Sequence, residues 1–426
     1  MDIIMYIINN VLNQAVFIIG LVVFLGLLVQ KTEKSKIVAS TVKTMIGFLL
    51  INTGGQTLGM ALLPLQPMLI KVFHLNVKLQ DMGAAQAESY VDIGSEMALI
   101  FACGFLVNIL LARVTKFKYV HLSAHVSFFY AGLIAALLKF GTNLTFFPLV
   151  IIGSLLLGSY MTFTCAYIAP LMKNIKGGEG FTLAHSSSSG VWLAAKLGGF
   201  LGNKKKDLES IKIPKNLSFL REMTIALTVV MALMFLVISI LAGPGWVVEN
   251  VSEGRDILTF ALLNGLQFGL WITVIITGVR MLLSEIIPAF HGIANKIIPD
   301  AMPGLDIPLL FPNYPTSVIF GFLVSLMAGF VGMGIMAMMK YPVVVFPALI
   351  PTFFTGAVTA IFGNSTGGIR GAFIGSFVNG LILIIGQALL LPMIGTFSPI
   401  MRILSETDYT LYGPILGALL KLLGGI

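Results

Sequence analysis

The sequence predicts an all-α polytopic membrane protein of about eleven transmembrane helices. Three observations predict it. Hydrophobic residues make up 57% of the 426-residue chain and charged residues only 10%, with a mean hydropathy of +0.97, whereas a soluble domain carries about 25% charged residues. Apolar runs long enough for a hydrocarbon core about 30 Å thick recur from Val16 to Leu423. Lipid offers no partner to an open backbone amide, so such runs must be helical.

Apolar runs bounded by charge place spans near 12–30, 37–54, 94–112, 120–139, 146–170, 220–242, 257–283, 316–339, 342–361, 371–395 and 409–424. The first lacks a basic leader and a small-residue cleavage site, so it reads as a spanning helix rather than a signal peptide. Lys31, Lys34 and Lys36 follow span one, Arg113, Lys116 and Lys118 follow span three, and Lys173 and Lys176 follow span five. By the positive-inside rule these loops are cytoplasmic, which puts the N-terminus outside and, after eleven crossings, the C-terminus in the cytoplasm. The same clustering explains the formal charge of +8 without nucleic acid.

Residues 181–201 are moderately apolar but interrupted at 186–190, which predicts a re-entrant hairpin rather than a span. This hairpin returns the basic stretch 204–215 to the cytoplasmic side. Gly104-Phe-Leu-Val recurs at Gly321-Phe-Leu-Val, and Ser127-Phe-Phe is echoed by Thr352-Phe-Phe. An odd number of spans in the first copy would invert the second, the arrangement of transporters that bind solute at a repeat interface. The chain therefore reads as one domain, 1–426, with a first repeat over about 1–175, a hairpin and loop over about 176–216, a second repeat over about 217–400 and a final helix over about 405–426.

Ionisable residues inside apolar spans are costly and usually line a pathway or meet a partner. His125 lies in Leu-Ser-Ala-His-Val-Ser-Phe-Phe-Tyr, His185 opens His-Ser-Ser-Ser-Ser, and Asp306 lies in Pro-Gly-Leu-Asp-Ile-Pro, where prolines break the helix and free backbone groups. Glu96 and Glu285 sit near span ends. Each has a plainer role: a histidine bonded to a neighbouring helix, serines as a linker or close contact, an aspartate as a turn former. Together they fit a neutral or singly charged polyhydroxylated solute, which needs many hydrogen bonds and little charge. Asn52-Thr-Gly-Gly-Gln and Gly363-Asn-Ser-Thr-Gly-Gly put small polar residues at span ends, for ligand approach or for helix crossing. Cys103 and Cys165 lie far apart in apolar stretches and read as packing residues. There is no GxxxxGK[ST] run or acidic cluster for magnesium, which argues against direct ATP drive. No cofactor or metal is implied.

Several ordered stretches resemble the membrane component, enzyme IIC, of the ascorbate-type sugar phosphotransferase systems. They are Thr41-Val-Lys-Thr-Met-Ile-Gly-Phe-Leu-Leu, the His125 segment ending Ala131-Gly-Leu-Ile-Ala, Gly180-Phe-Thr-Leu-Ala-His, Leu217-Ser-Phe-Leu-Arg, Gly278-Val-Arg-Met and Phe362-Gly-Asn-Ser-Thr-Gly-Gly. The resemblance implies a homodimer in the bacterial inner membrane, each subunit a static scaffold plus a core moving like an elevator. It also implies a sugar or sugar-acid phosphorylated on entry by a separate enzyme IIB, charged by IIA and HPr, with no catalysis in this chain.

Carried over residue by residue, the substrate contacts fall at His125, Val126, Ser127, Phe128, Phe129, His185, Ser186, Asp306, Met82 and Gly83. Phe129 and Ser186 stand where the ascorbate enzymes are expected to carry glutamines, and Gly83 where a tyrosine is expected. Losing those groups changes which hydroxyls a site can hold, so the solute is ascorbate or a related sugar or polyol. The rival readings are an ion-coupled secondary transporter of a polyhydroxylated solute and a membrane scaffold that transports nothing.

Overall fold

The computed structural model describes residues 15–73, 82–211, 222–296, 298–343 and 345–422. The described residues are mostly helical: α1 Ala15–Val29, α2 Lys34–Leu62, α3 Leu65–Val72, α4 Met82–Val114, α5 Ala124–Gly141, α6 Phe146–Met172 and α7 Ser188–Leu201 form the first half. The second half comprises α8 Met223–Ala242, α9 Pro244–Asn250, α10 Ile257–Lys296, α11 Pro315–Met338, α12 Leu349–Leu390, α13 Ser398–Leu404 and α14 Thr407–Leu422. Seven helical stretches among the described residues are long and apolar enough to cross a membrane.

Their outer faces are apolar. Leu106, Leu110 and Val114 on α4 and Leu258, Leu262, Leu266 and Leu270 on α10 form exposed rows at four-residue spacing, the neighbours on one helix face. Water would penalise such contiguous apolar surface. Acyl chains do not.

Two expected spans begin later than their apolar runs. The fourth, expected from residue 120, opens instead within strand β1, Tyr119–His121, and α5 starts only at Ala124. In the ninth, Pro342 and Pro347 lack the N–H that a helix interior needs, and α12 starts at Leu349. Helix α2 runs on to Leu62, well past residue 54. The basic residues Lys212 and Lys215 and the stretch beginning at Leu217 lie outside the described residues.

α12 is two antiparallel halves. At Gly368 the backbone takes φ 58° and ψ −154°, a combination essentially restricted to glycine. Asn379 consequently donates to Thr355 Oγ1 at 2.8 Å, although 24 residues of straight helix would separate them by roughly 36 Å. The reversal is clasped by the loop after α7. Asn203 N donates to the Gly367 carbonyl at 2.7 Å and Ile369 N to that of Lys206 at 2.8 Å, while the Asn364 amide meets Asp207 at 2.6 Å. Glu209, in the same loop, accepts the backbone N–H groups of Thr316 and Ser317 at 3.2 and 2.7 Å at the start of α11.

The helices pack in two groups. One comprises α1, α2, α3, α8, α9 and α10. Its axis is the α2–α10 crossing, where a Cβ on Gly278 would lie 2.6 Å from the Gly47 carbonyl oxygen. The other comprises α4 to α7 and α11 to α14, with α12 at its centre against α7, α11 and α14. Contacts between the groups are sparse by comparison.

Candidate functional site

Three short parallel strands order the site: β1, β2 Thr182–Leu183 and β3 Met302–Leu305, with β3 central. Gly304 pairs with His121 on one side and with Thr182 on the other. Pro303 is tolerated in the central strand because pairing with β2 begins only at Gly304. Gly304 also admits close neighbours, since a Cβ there would meet Cys165 Sγ at 2.8 Å and Ala184 Cβ at 2.9 Å. Because the strands run in the same direction, their C-terminal ends lie together. His125 follows β1, His185 follows β2 and Asp306 follows β3.

Asp306 is the hub. His125 Nε2 lies 3.5 Å from Asp306 Oδ2, and His185 Nε2 lies 3.6 Å from Oδ1. Asp306 Oδ1 also accepts the Ile307 N–H at 2.7 Å, capping the 3-10 turn Ile307–Leu309. The turn-forming and site-facing roles weighed for this aspartate are therefore both filled.

The fourth charged group is Glu406, in the short link between α13 and α14. Its Oε2 lies 3.3 Å from His185 Nδ1 and accepts the Ser186 hydroxyl. The order Glu406, His185, Asp306, His125 thus alternates carboxylate and imidazole. Two residues on, fully buried Asp408 receives Ser188 N at 3.2 Å, Ser189 N at 2.8 Å, the Ser189 hydroxyl and Tyr160 Oη at 2.7 Å. A carboxylate supplied from elsewhere in the chain therefore closes the N-terminus of α7, where orphan amides favour negative charge.

These groups face a cavity of about 310 Å³, at the lower end of the range for small-molecule sites. One wall is α2 and α10, through Asn52, Gly55 and Ile275; the other carries His125, Phe129, His185, Asp306, Glu406 and Tyr409. The cavity therefore lies between the two helix groups. Among the described residues, no lysine or arginine lines it.

Of the residues singled out from sequence, His125, Val126, Phe129, His185 and Asp306 line this cavity. The Val126 carbonyl also accepts Tyr409 Oη at 2.7 Å. Ser127 is buried and donates to the Ser123 carbonyl at 3.1 Å, with the His121 ring at 3.2 Å. Phe128 packs edge-on to Phe101. Ser186 stands behind Glu406. Met82 and Gly83 lie in the first turn of α4, where only the backbone is described. Glu96 pairs with Lys139 at 3.4 Å and Glu285 with Lys43 at 3.6 Å, away from the cavity. Glu406 and Tyr409 went unread in the sequence. Their one signal was the polar run Ser405-Glu-Thr-Asp between two apolar helices.

Fold and site together define an all-α membrane protein with a mostly apolar cavity that bears carboxylates and imidazoles between two packed helix groups. The chain belongs to the EIIC-GAT family, the sugar-specific permease component of the phosphotransferase system, whose profile matches residues 10–407. It is 26% identical over 427 aligned residues, 88% of its length, to a Mycoplasma pneumoniae protein described as an ascorbate-specific PTS system EIIC component. The chain spans 65% of that relative's length.

Proposed function

We propose that the protein moves a sugar or a related polyhydroxylated solute, ascorbate among the candidates, inward across the bacterial cytoplasmic membrane, where a separate enzyme IIB, recharged by IIA and HPr, phosphorylates it. The observation that carries this reading is the cavity's place between two helix groups, with its charged side chains on one of them. In an elevator-type motion the group bearing His125, His185, Asp306 and Glu406 would travel against the α2–α10 group, carrying the solute with it. Membership of a sugar permease family supports the solute class.

The same reading makes His125, His185 and Asp306 the partners of the solute's hydroxyl or enolate oxygens, with Val126 and Phe129 shaping the cavity. Ser127, Phe128 and Ser186 support those residues from behind, and Met82 and Gly83 complete the contact set from the start of α4. It also keeps the inverted repeats over about 1–175 and 217–400, each followed by a polar tip and a shorter helix, the tips at residues 185–189 and 405–408. On this reading the two tips are re-entrant and meet where the solute binds. The protein is a homodimer with its N-terminus outside.

The test is uptake of radiolabelled candidate sugars, polyols and ascorbate in cells and in membrane vesicles. His125→Ala and Asp306→Asn should each lower uptake at least tenfold while the protein still inserts and elutes as a single species. Unchanged uptake in both variants would sink the site assignment. Import sustained by an ion gradient, without phosphoenolpyruvate or partner proteins, would replace group translocation with ion-coupled transport.

A further inference from the structure

We propose that the far end of α7 holds an anionic phospholipid, its phosphate against Lys204, Lys205, Lys206 and Arg370 and its acyl chains along Trp192 and Phe200. The inference does not depend on which solute the cavity takes. It starts from the two faces of α7. Val191, Ala194, Ala195 and Gly198 are buried, and a Cβ on Gly198 would lie 2.7 Å from the Gly363 carbonyl oxygen of α12. The other face carries Trp192, Lys196 and Phe200 at four-residue spacing, positions that neighbour one another on a helix surface. Phe200 is 86% exposed, Leu201 49% and Trp192 42%. The helix rises about 20 Å from Ser188 to Leu201, and none of these residues lines the cavity.

Beyond Leu201 the fold gathers cations. Lys204, Lys205 and Lys206 are exposed, and so is Arg370, which the bond from Ile369 N to the Lys206 carbonyl at 2.8 Å brings beside them from the second half of the chain. Among the described residues none of the four pairs with a carboxylate. The acids of the same loop are engaged otherwise: Asp207 accepts the Asn364 amide, and Glu209 caps α11. Positive-inside placement accounts for lysines in a loop. It does not call for bare aromatic rings on the helix leading to them.

Lys196 joins the two parts. Its ammonium lies 5.6 Å from the Trp192 ring centre, a cation–π contact, and such a side chain lays its methylenes on apolar surface while its head reaches for water. Tryptophan beside lysine marks the depth at which headgroups begin. A phospholipid with net negative charge matches both ends of this surface, cations at the phosphate and rings at the acyl chains. A soluble anion matches only the first. A second copy of the chain is a poorer occupant, because a two-fold contact sets a patch against itself and would oppose Lys196 and the cluster to their own twins.

The test uses the full chain purified in a neutral detergent and titrated with phosphatidylglycerol, with phosphatidylcholine of the same acyl chains, or with glycerol 3-phosphate, the thermal midpoint being the readout. Phosphatidylglycerol should raise the midpoint saturably. Combining Lys204→Gln, Lys205→Gln, Lys206→Gln and Arg370→Gln should raise its half-saturating mole fraction at least fivefold, and Phe200→Ser alone at least threefold. Arginine at the three lysine positions should behave as wild type, as should Lys34→Gln with Lys36→Gln at the start of α2. If the fourfold variant fails to fold, Arg370→Gln alone should still raise the half-saturating fraction at least twofold. Equal half-saturation in wild type and in the charge-removing variants would overturn the proposal, as would an equal response to phosphatidylcholine or a midpoint shift from glycerol 3-phosphate alone. Loss with the fourfold variant but not with Phe200→Ser would overturn it too, and would assign the cations to an acidic protein partner.

Discussion

Replacing Asp408 by alanine removes the acceptor that closes the N-terminus of α7. The carboxylate accepts two backbone N–H groups, from Ser188 and Ser189, and the hydroxyls of Ser189 and Tyr160. Hydroxyls can rotate toward other acceptors, but the two amides are fixed by the first turn of the helix. Asp408, Ser188 and Ser189 are buried and Tyr160 partly so, and each buried donor left without a partner costs about 1–3 kcal/mol. Ser188 N also has the His185 carbonyl at 3.2 Å, so the Ser189 amide sets the expected loss at roughly 1–3 kcal/mol. Asp408→Asn keeps the shape and one acceptor oxygen, and should lose less. The assay is equilibrium unfolding in mixed micelles of rising denaturing-detergent fraction, followed by tryptophan fluorescence. Because Ser188 and Ser189 lie three and four residues after His185, solute affinity should fall with stability. An Asp408→Ala protein within about 0.5 kcal/mol of wild type would refute the reasoning, since no buried amide would then depend on this carboxylate.

Gly368→Ala should cost more than about 2 kcal/mol and lower the thermal midpoint, because its backbone angles exclude a side chain and the new Cβ would meet the Asn203 and Lys206 carbonyls. Glu209→Ala should cost about 1 kcal/mol by uncapping α11; hydrogen exchange at Thr316 and Ser317 should accelerate while that in α2 does not. At the exposed start of α10, the Asp256 carboxyl is held below the usual carboxylate range, chiefly by hydrogen bonding from Thr259. A depressed value means the cap is intact above the ordinary carboxylate range and is lost as pH falls through the folded-state value. Amide protection over residues 257–260, taken relative to the intrinsic exchange rate at each pH, should therefore fall on acidification in wild type but not in Asp256→Asn.

Membrane class, most helices and part of the cavity were legible because they follow from local chemistry. Apolar length marks a helix whatever surrounds it, and a histidine or aspartate in an interrupted span stands out against lipid. What the sequence hid depends on distant partners. Residues 186–189 read as the interruption of a hairpin, and it is Asp408, more than two hundred positions later, whose carboxylate makes Ser188 and Ser189 a helix start. Glu406 was hidden for the same reason, as an acid in a polar link. In Asn52-Thr-Gly-Gly-Gln, Gly54 packs against Ile275 at a helix crossing, while Asn52 and Gly55 line the cavity. In Gly363-Asn-Ser-Thr-Gly-Gly, only the clasp by residues 203–207 explains why the chain reverses there. The ninth span was misplaced at its start because hydropathy does not register the missing N–H of Pro342 and Pro347.

The three-stranded sheet has a consequence for biogenesis. Its strands come from widely separated positions, and the central one is the last to be translated. While the ribosome is still short of residue 305, β1 and β2 have no shared partner, so His125 and His185 are not yet held together by backbone pairing. Asp306 follows immediately on that last strand, and Glu406 arrives a hundred residues later. The cavity is therefore completed near the end of synthesis, after most apolar helices are already in the bilayer, and a chain cut short before α14 would contain the membrane anchor without a finished site.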